Sequence, residues 1–482
     1  MKLKRIVFLL FMGLIMQPGV SFSRSATVED SLSVKMAESV IHRSPDNYGD
    51  WDYVTGTVLK AFQELWLATG DDRYFKYIKR TVDKVVNANG SIDNYKLTDY
   101  NIDEIREGSA LLFLYSQTGL EKYRTAADLL RSQLEHQPRT SEGGFWHKQR
   151  YPNQMWLDGL YMGSPFYAEY GKLFNEPGAF DDVANQILLM EKHLKDSVTG
   201  LYFHGWDESR EQEWADIHSG VSSAFWGRGM GWFAMALVDI LDYLPSDHPK
   251  RDTIIDIIAH FFEAVSNHQD SETGLWYQVI DKPDSVGNYH EASASCMFVY
   301  AMAKAVRLNY VEPVYRLIAY KGYKGIAEHL ITKKRGVLSI NNICKSAGLG
   351  YGRDGTYNYY INETEKVSND GKAIGPFILA ALEFENLQHV TRATDEKQNI
   401  NPVTLHPNPA KDNIVVTLNR KIDTQIEIKI INITGAPIST KTFIPSQSSL
   451  MKFNIADYKN GVYFMLVNMS GTTHIHKFIV LK

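Results

Sequence analysis

Apolar residues recur at three- and four-residue spacings from residue 28 to residue 387, interrupted by short polar breaks. Read with the helix start and stop signals, this pattern predicts twelve helices, at about 28–43, 51–69, 71–88, 103–118, 121–136, 153–174, 177–195, 221–243, 248–267, 289–307, 313–331 and 370–387. Short turns alternate with longer loops, the pattern of stacked helical hairpins. Ala68-Thr69-Gly70-Asp71 and Gln117-Thr118-Gly119-Leu120 each join an even-numbered helix to the next odd one. The loop fragments Thr199-Gly200-Leu201-Tyr202-Phe203 and Thr273-Gly274-Leu275-Trp276-Tyr277 read as one element used twice. Six hairpins without strands suggest a closed (α/α)6 toroid. An open solenoid has a similar periodicity but needs polar capping helices at its ends.

The pattern changes near residue 388, where a polar stretch (391–401) leads into short apolar-rich runs. Val415-Val416-Thr417-Leu418, Ile426 to Ile430, Val462 to Val467 and Lys477 to Leu481 are β-type, and Thr434-Gly435 and Asn460-Gly461 supply turn signals. The chain therefore reads as mainly α: a catalytic-sized toroid over 26–388, a linker over 389–402 and a small C-terminal β-sandwich over 403–482.

The first residues read as a signal peptide, 1–25. Lys2, Lys4 and Arg5 precede an apolar run from Ile6 to Met16, and small residues follow around Val20 to Ala26. That run is too short to span a bilayer, which takes roughly 20 apolar residues, so no membrane span is expected. A formal charge of −5 argues against a nucleic-acid partner, because phosphate neutralisation needs a basic surface. An anionic substrate stays open if a pocket supplies local positive charge. The two cysteines, Cys296 and Cys344, could pair in an oxidising compartment, although Cys296 lies in an apolar helical run that suits a small buried residue. No His or Cys cluster has zinc-site spacing, and no HExxH, GxSxG or Walker A motif occurs, so no metal and no cofactor are expected.

The residues that do not fit a core pattern share a position. Tyr53 opens the second helix, Asp103 the fourth, and Trp156 and Asp158 the sixth. Trp226, Arg228 and Trp232 lie in the first half of the eighth, and His290 and Glu291 open the tenth. His147, His204 and Trp276 sit on the loops that feed these helices. If even-numbered helices form an inner ring, all meet at one mouth, where helix N-termini favour an anion. Asp103 can equally be a helix-start carboxylate serving the dipole. Asp158 is harder to read that way: Trp156, Leu157, Leu160 and Tyr161 surround it, and burial raises a carboxyl pKa toward that of a proton donor. The loop 332–369, with Arg353, Asp354, Tyr357, Tyr359 and Tyr360, is long enough for a lid, and a plain surface excursion fits it as well.

Four segments together resemble the unsaturated rhamnogalacturonyl hydrolases, glycoside hydrolase family 105. They are Asn101-Ile-Asp-Glu-Ile-Arg-Glu-Gly108, Gly144-Phe-Trp-His147, Gln154-Met-Trp-Leu-Asp-Gly-Leu-Tyr-Met162 and Trp226-Gly-Arg-Gly-Met-Gly-Trp232. The resemblance, over about 30–387, implies an (α/α)6 barrel without a metal. It makes Asp158 the catalytic acid/base and Asp103 its assisting carboxylate. It makes His147, Trp156, His204, Trp226, Arg228, Trp232 and Tyr53 substrate-contacting. Met230 stands where the family pattern leads one to expect Asn, which leaves fine specificity open. Leu405-His-Pro-Asn-Pro-Ala410, Asn460-Gly-Val-Tyr463 and the terminal Lys477 to Lys482 resemble the type A sorting domain of the type IX secretion system. That implies engagement of the secretion machinery, export through the periplasm of a Gram-negative bacterium, and a secreted or cell-surface enzyme.

The family's substrates are lyase-cut oligosaccharides whose non-reducing uronic acid carries a C4=C5 double bond. The resemblance implies proton delivery from Asp158 to C4, with Asp103 keeping Asp158 protonated by like-charge repulsion. His204 and Arg228 would orient the sugar and its carboxylate, and the three tryptophans would offer stacking faces. The partner sugar is expected to be rhamnose, from ulvan or rhamnogalacturonan. Rivals are an unsaturated glucuronyl hydrolase acting on glycosaminoglycan fragments and a non-catalytic oligosaccharide-binding protein.

Overall fold

The computed structural model describes residues 31–385 and most of 403–482. The expected signal peptide and linker lie outside the described residues. The chain divides into two compact units that part at Thr391.

The first unit holds twelve α-helices: α1 (Leu32–Arg43), α2 (Tyr53–Thr69), α3 (Asp72–Val85), α4 (Gly108–Thr118), α5 (Glu121–His136), α6 (Leu157–Phe174), α7 (Gly178–Leu194), α8 (Gly227–Ile240), α9 (Arg251–Ser266), α10 (Ala292–Arg307), α11 (Val314–Gly325) and α12 (Gly371–Phe384). The even-numbered helices pack in succession, and α12 closes onto both α10 and α2, so the ring is a toroid and not an open solenoid. Each odd-numbered helix lies outside the even-numbered helix it is paired with. Burial follows from these places. Every residue of α8 is buried, because an inner helix has protein on all sides. Outer α3 buries one stripe, Tyr74, Tyr77, Ile78, Thr81, Val82 and Val85, at helical spacing.

The turn chemistry read from the sequence is built as expected. Gly70 and Gly119 end α2 and α4 in the left-handed region, at φ of 68° and 65°. A Cβ at either position meets nothing within 4 Å, so backbone conformation and not space calls for glycine there. The two similar loops are one turn made twice. The amides of Asp196 and Asp270 donate to the carbonyls of Leu201 and Leu275 at 2.8 and 2.9 Å. Each aspartate carboxylate in turn accepts from the threonine three residues on.

Among the described residues six short strands interrupt the loops of this unit. β1 (Gln154–Trp156) pairs antiparallel with β2 (Gly205–Asp207), and β3 (Ile331–Lys334) with β4 (Val337–Ile340). Two residues each of β5 (Ile343–Cys344) and β6 (Lys366–Val367) then tie the base of the last long loop.

The second unit is antiparallel. β7 (Val403–His406), β8 (Asn413–Leu418) and β11 (Leu450–Asn454) form one sheet in the order β11-β8-β7. β9 (Ile426–Asn432), β10 (Pro437–Phe443), β12 (Gly461–Met469) and β13 (Thr472–Val480) form the other, in the order β10-β9-β12-β13. Alternate residues Ile414, Val416 and Leu418 of one sheet and Ile426, Ile428, Ile430, Met465 and Val467 of the other share one core, which makes the pair a small β-sandwich.

Candidate active site

The N-termini of the inner helices gather at one mouth of the toroid. Tyr53 is the first residue of α2, Asp158 the second of α6 and Arg228 the second of α8, while Trp226 and Glu291 cap α8 and α10. Asp103 differs from expectation: α4 starts at Gly108, and Asp103 lies in a 3-10 turn, Ile102–Ile105, just before it. Two backbone ladders bring the loops in. Ile102 N–H donates to the His147 carbonyl at 3.2 Å and His147 N–H to the Gln154 carbonyl at 2.8 Å, setting His147 beside Asp103. The β1–β2 pair and the Leu157 amide, which donates to the His204 carbonyl at 2.9 Å, set His204 beside Asp158.

These elements enclose a cavity of about 270 Å³ whose lining includes Tyr53, Asp103, His147, Trp156 and Asp158. Asp103 and Asp158 sit in unlike surroundings. Asp103 Oδ2 lies 2.6 Å from Lys148 Nζ and its Oδ1 lies 3.3 Å from His147 Nε2. Burial by itself would raise its pKa, but Lys148 and then His147 outweigh that and hold it well below the usual carboxylate range. Asp103 is therefore an ionised, already partnered group, and the like-charge push expected on Asp158 is offset by Lys148. Asp158 Oδ2 lies 3.0 Å from His204 Nε2, but the two are not aligned as a hydrogen bond, and neither buried atom has another partner. Such contacts commonly tighten only when substrate arrives.

His204, Trp226, Arg228 and Trp232 are not in the cavity lining. His204 is fully buried behind Asp158. Arg228 is buried and donates through Nη1 to the Cys344 carbonyl, with its guanidinium 4.9 Å from the Trp226 ring. The tryptophans are not open stacking faces: Trp156 is 5% exposed, and Trp226 and Trp232 are 1% exposed. Trp156 stacks against His147 and Tyr151 at 4.3 and 4.7 Å, Trp226 against Tyr360 at 5.5 Å, and Trp232 against Tyr161 at 4.9 Å. They build the wall, because wide rings packed ring-on-ring bury area that a sugar would otherwise cover.

The cations that do face the cavity are Lys148, Arg150 and Arg353. Arg353 comes from the last long loop and donates to the Tyr151 hydroxyl at 2.7 Å, so this loop covers the cavity and is more than a surface excursion. Lys148 carried a readable signal, as a lysine directly after the Gly144–His147 segment. Asn101 and Glu104, within the Asn101–Gly108 segment, also line the cavity, as do Trp51 and Asp52, which had no comparable signal. Among the described residues no group of three or more His, Cys, Asp or Glu converges to hold a metal. Cys296 and Cys344 are both buried and free.

Residues 28–388 match the model of Glycosyl Hydrolase Family 88. The chain belongs to that family. A solved glycoside hydrolase from family 105 of C. acetobutylicum is 43% identical, covers 74% of this chain and all (100%) of its own, and superposes with a TM-score of 0.72. An unsaturated rhamnogalacturonyl hydrolase of Bacillus subtilis is 30% identical over 264 residues, 54% of this chain and 72% of that protein. An unsaturated 3S-rhamnoglycuronyl hydrolase of an Alteromonas species is 24% identical over 307 residues, 58% of this chain and 70% of that protein. This Family 88 member is thus an unsaturated uronyl hydrolase with family 105 neighbours. Residues 404–481 match the secretion system C-terminal sorting domain, which marks the hydrolase for type IX export to the cell surface or medium. No described helix is long and apolar enough to cross a membrane.

Proposed function

We propose that this hydrolase removes the 4,5-unsaturated uronic acid from the non-reducing end of lyase-generated uronyl-rhamnose oligosaccharides, with Asp158 as acid and base. The observation that carries the reading is the Asp158 carboxyl at the cavity wall, its Oδ2 3.0 Å from His204 Nε2 and without an aligned hydrogen-bond partner among the described residues. Protonated Asp158 delivers its proton to C4 while positive charge develops at C5 and the ring oxygen. The carboxylate so formed takes a proton from the water that adds at C5, and the hemiketal opens to expel the neighbouring sugar. Ionised Asp103 adds negative charge near the developing cation. Lys148, Arg150 and Arg353 give the uronate carboxylate a cationic lining, the part first assigned to Arg228.

Replacing Asp158 by Asn tests the role. The fold should persist, and an unsaturated disaccharide should keep its alkene absorbance; turnover by the variant would remove Asp158 from the acid role. For the partner sugar we favour ulvan fragments over rhamnogalacturonan, because two relatives are named for 3S-rhamnoglycuronyl hydrolysis. Lyase digests of ulvan and of pectin, read in the ultraviolet, decide between them. Faster alkene loss on the pectin digest would reverse the preference. The remaining assignments belong to the same proposal: a signal peptide over 1–25, a catalytic domain over 26–388 and a sorting domain over 403–482.

A further inference from the structure

Tyr360, on the loop between β5 and β6, lies outside the cavity lining yet reaches the acid through one intermediate. Its hydroxyl is 2.6 Å from His204 Nδ1, and that ring's other nitrogen faces Asp158 Oδ2 at 3.0 Å. Tyr360 is fully buried and stacks on Trp226 at 5.5 Å with 17° between the planes, so its hydroxyl is held in place. We infer that Tyr360 is a positioning residue which, through His204, decides which oxygen of Asp158 carries the transferable proton.

Each step of the inference has a physical reason. Among the described residues His204 Nδ1 is the one hydrogen-bond partner of the Tyr360 hydroxyl. A buried O–H that donates to nothing loses the full value of its solvation, so Tyr360 donates and Nδ1 accepts. Burial pushes the Tyr360 pKa well above the usual tyrosine range, which keeps that proton in place. With Nδ1 accepting, the neutral ring carries its hydrogen on Nε2, 3.0 Å from Asp158 Oδ2, and donates to it once the site tightens on substrate. A proton on Oδ2 would then meet another proton. It therefore sits on Oδ1, and because Oδ2 is buried while Asp158 lines the cavity, Oδ1 is the oxygen a substrate can reach. As the proton leaves, the Nε2–H donor stabilises the carboxylate that forms.

The inference rests on the assignment of Asp158 as the acid, and the experiment separates the two. Nitrogen-15 spectra of histidine-labelled, substrate-free wild-type protein, with the His204 signal assigned from His204→Gln, should show the Nε2–H tautomer. Tyr360→Phe keeps the ring on Trp226 and removes only the hydroxyl. It should lose the single tautomer and lower kcat by about tenfold while KM stays within about twofold. A wild-type Nδ1–H tautomer overturns the inference even if Tyr360→Phe fails to fold. So does a folded Tyr360→Phe protein with wild-type kcat. Activity retained by Asp158→Asn would instead overturn the underlying assignment, whatever the tautomer.

Discussion

Lys148 Nζ lies 2.6 Å from Asp103 Oδ2, so this cavity carboxylate is ion-paired before any substrate arrives. The pair is mostly shielded, with side-chain exposures of 15% and 18%, and His147 closes its other side. Asp103 therefore brings a fixed negative charge to the cavity, and Lys148 tempers it. A uronate carboxylate bound as proposed would compete with Asp103 for the same ammonium group.

Lys148→Met should separate these effects. Without the ammonium group, Asp103 titrates closer to an ordinary carboxylate near pH 4, and KM for the unsaturated disaccharide rises. The stability consequence has a definite sign. A depressed folded-state pKa stabilises above the unfolded value of about 3.9, and that contribution is lost as pH falls further. The wild type should thus lose stability more steeply than the variant below about pH 4 in denaturation midpoints. Parallel pH curves would contradict it.

At the opposite end of the inner ring, Asp239 on α8 accepts from Lys304 and Tyr300 of α10, each at 2.7 Å. Both partners of the ion pair are nearly sealed from solvent, at 3% and 5% side-chain exposure. Lys304→Met leaves Asp239 without its main counter-charge and should cost about 3–5 kcal/mol in urea unfolding. The double change Asp239→Leu with Lys304→Met should cost much less, because the unpaired charge is what is expensive.

Ring closure has its own test. A Cβ on Gly375 of α12 would stand 2.8 Å from the Thr57 carbonyl oxygen and 3.0 Å from its carbon, on α2. These are backbone atoms, so the helices must part. Gly375→Ala should destabilise by about 1–3 kcal/mol. Gly178→Ala, on α7 with nothing near the added carbon, should change stability little and serves as the control.

The free cysteines predict a simple titration. Cys296 and Cys344 are both fully buried, and burial pushes the Cys296 thiol up, so the native protein should resist a thiol reagent. Unfolded without reductant, it should release two thiol equivalents. No equivalents in that state would mean that the pair had oxidised.

Asp158 was legible in the sequence because it lies at a helix start within an apolar run, and Asp103 and His147 because they lie in segments that resemble family 105. Lys148 was nearly so. Arg353 and Tyr360 stood out only as members of a loop long enough for a lid, because they reach the site across the fold, bonded to residues about 150 to 200 positions away. The tryptophans marked the right region but not their role. A Trp beside Arg228 and two glycines reads as exposed chemistry in one dimension, and in three its ring is covered by Tyr360 and His204.

By itself the sequence determined what acts over short range: the twelve helices, the glycine ends at Gly70 and Gly119, the alternation of the C-terminal strands and the gathering of polar residues at helix starts. Periodicity and turn chemistry act between near neighbours and leave their record in order along the chain. Only the tertiary structure decided that α12 packs on α2 to close the ring, that Lys148 rather than solvent answers Asp103, and that His204 stands between Asp158 and Tyr360. Those outcomes depend on burial and on which distant groups are brought within hydrogen-bonding range, and packing sets both.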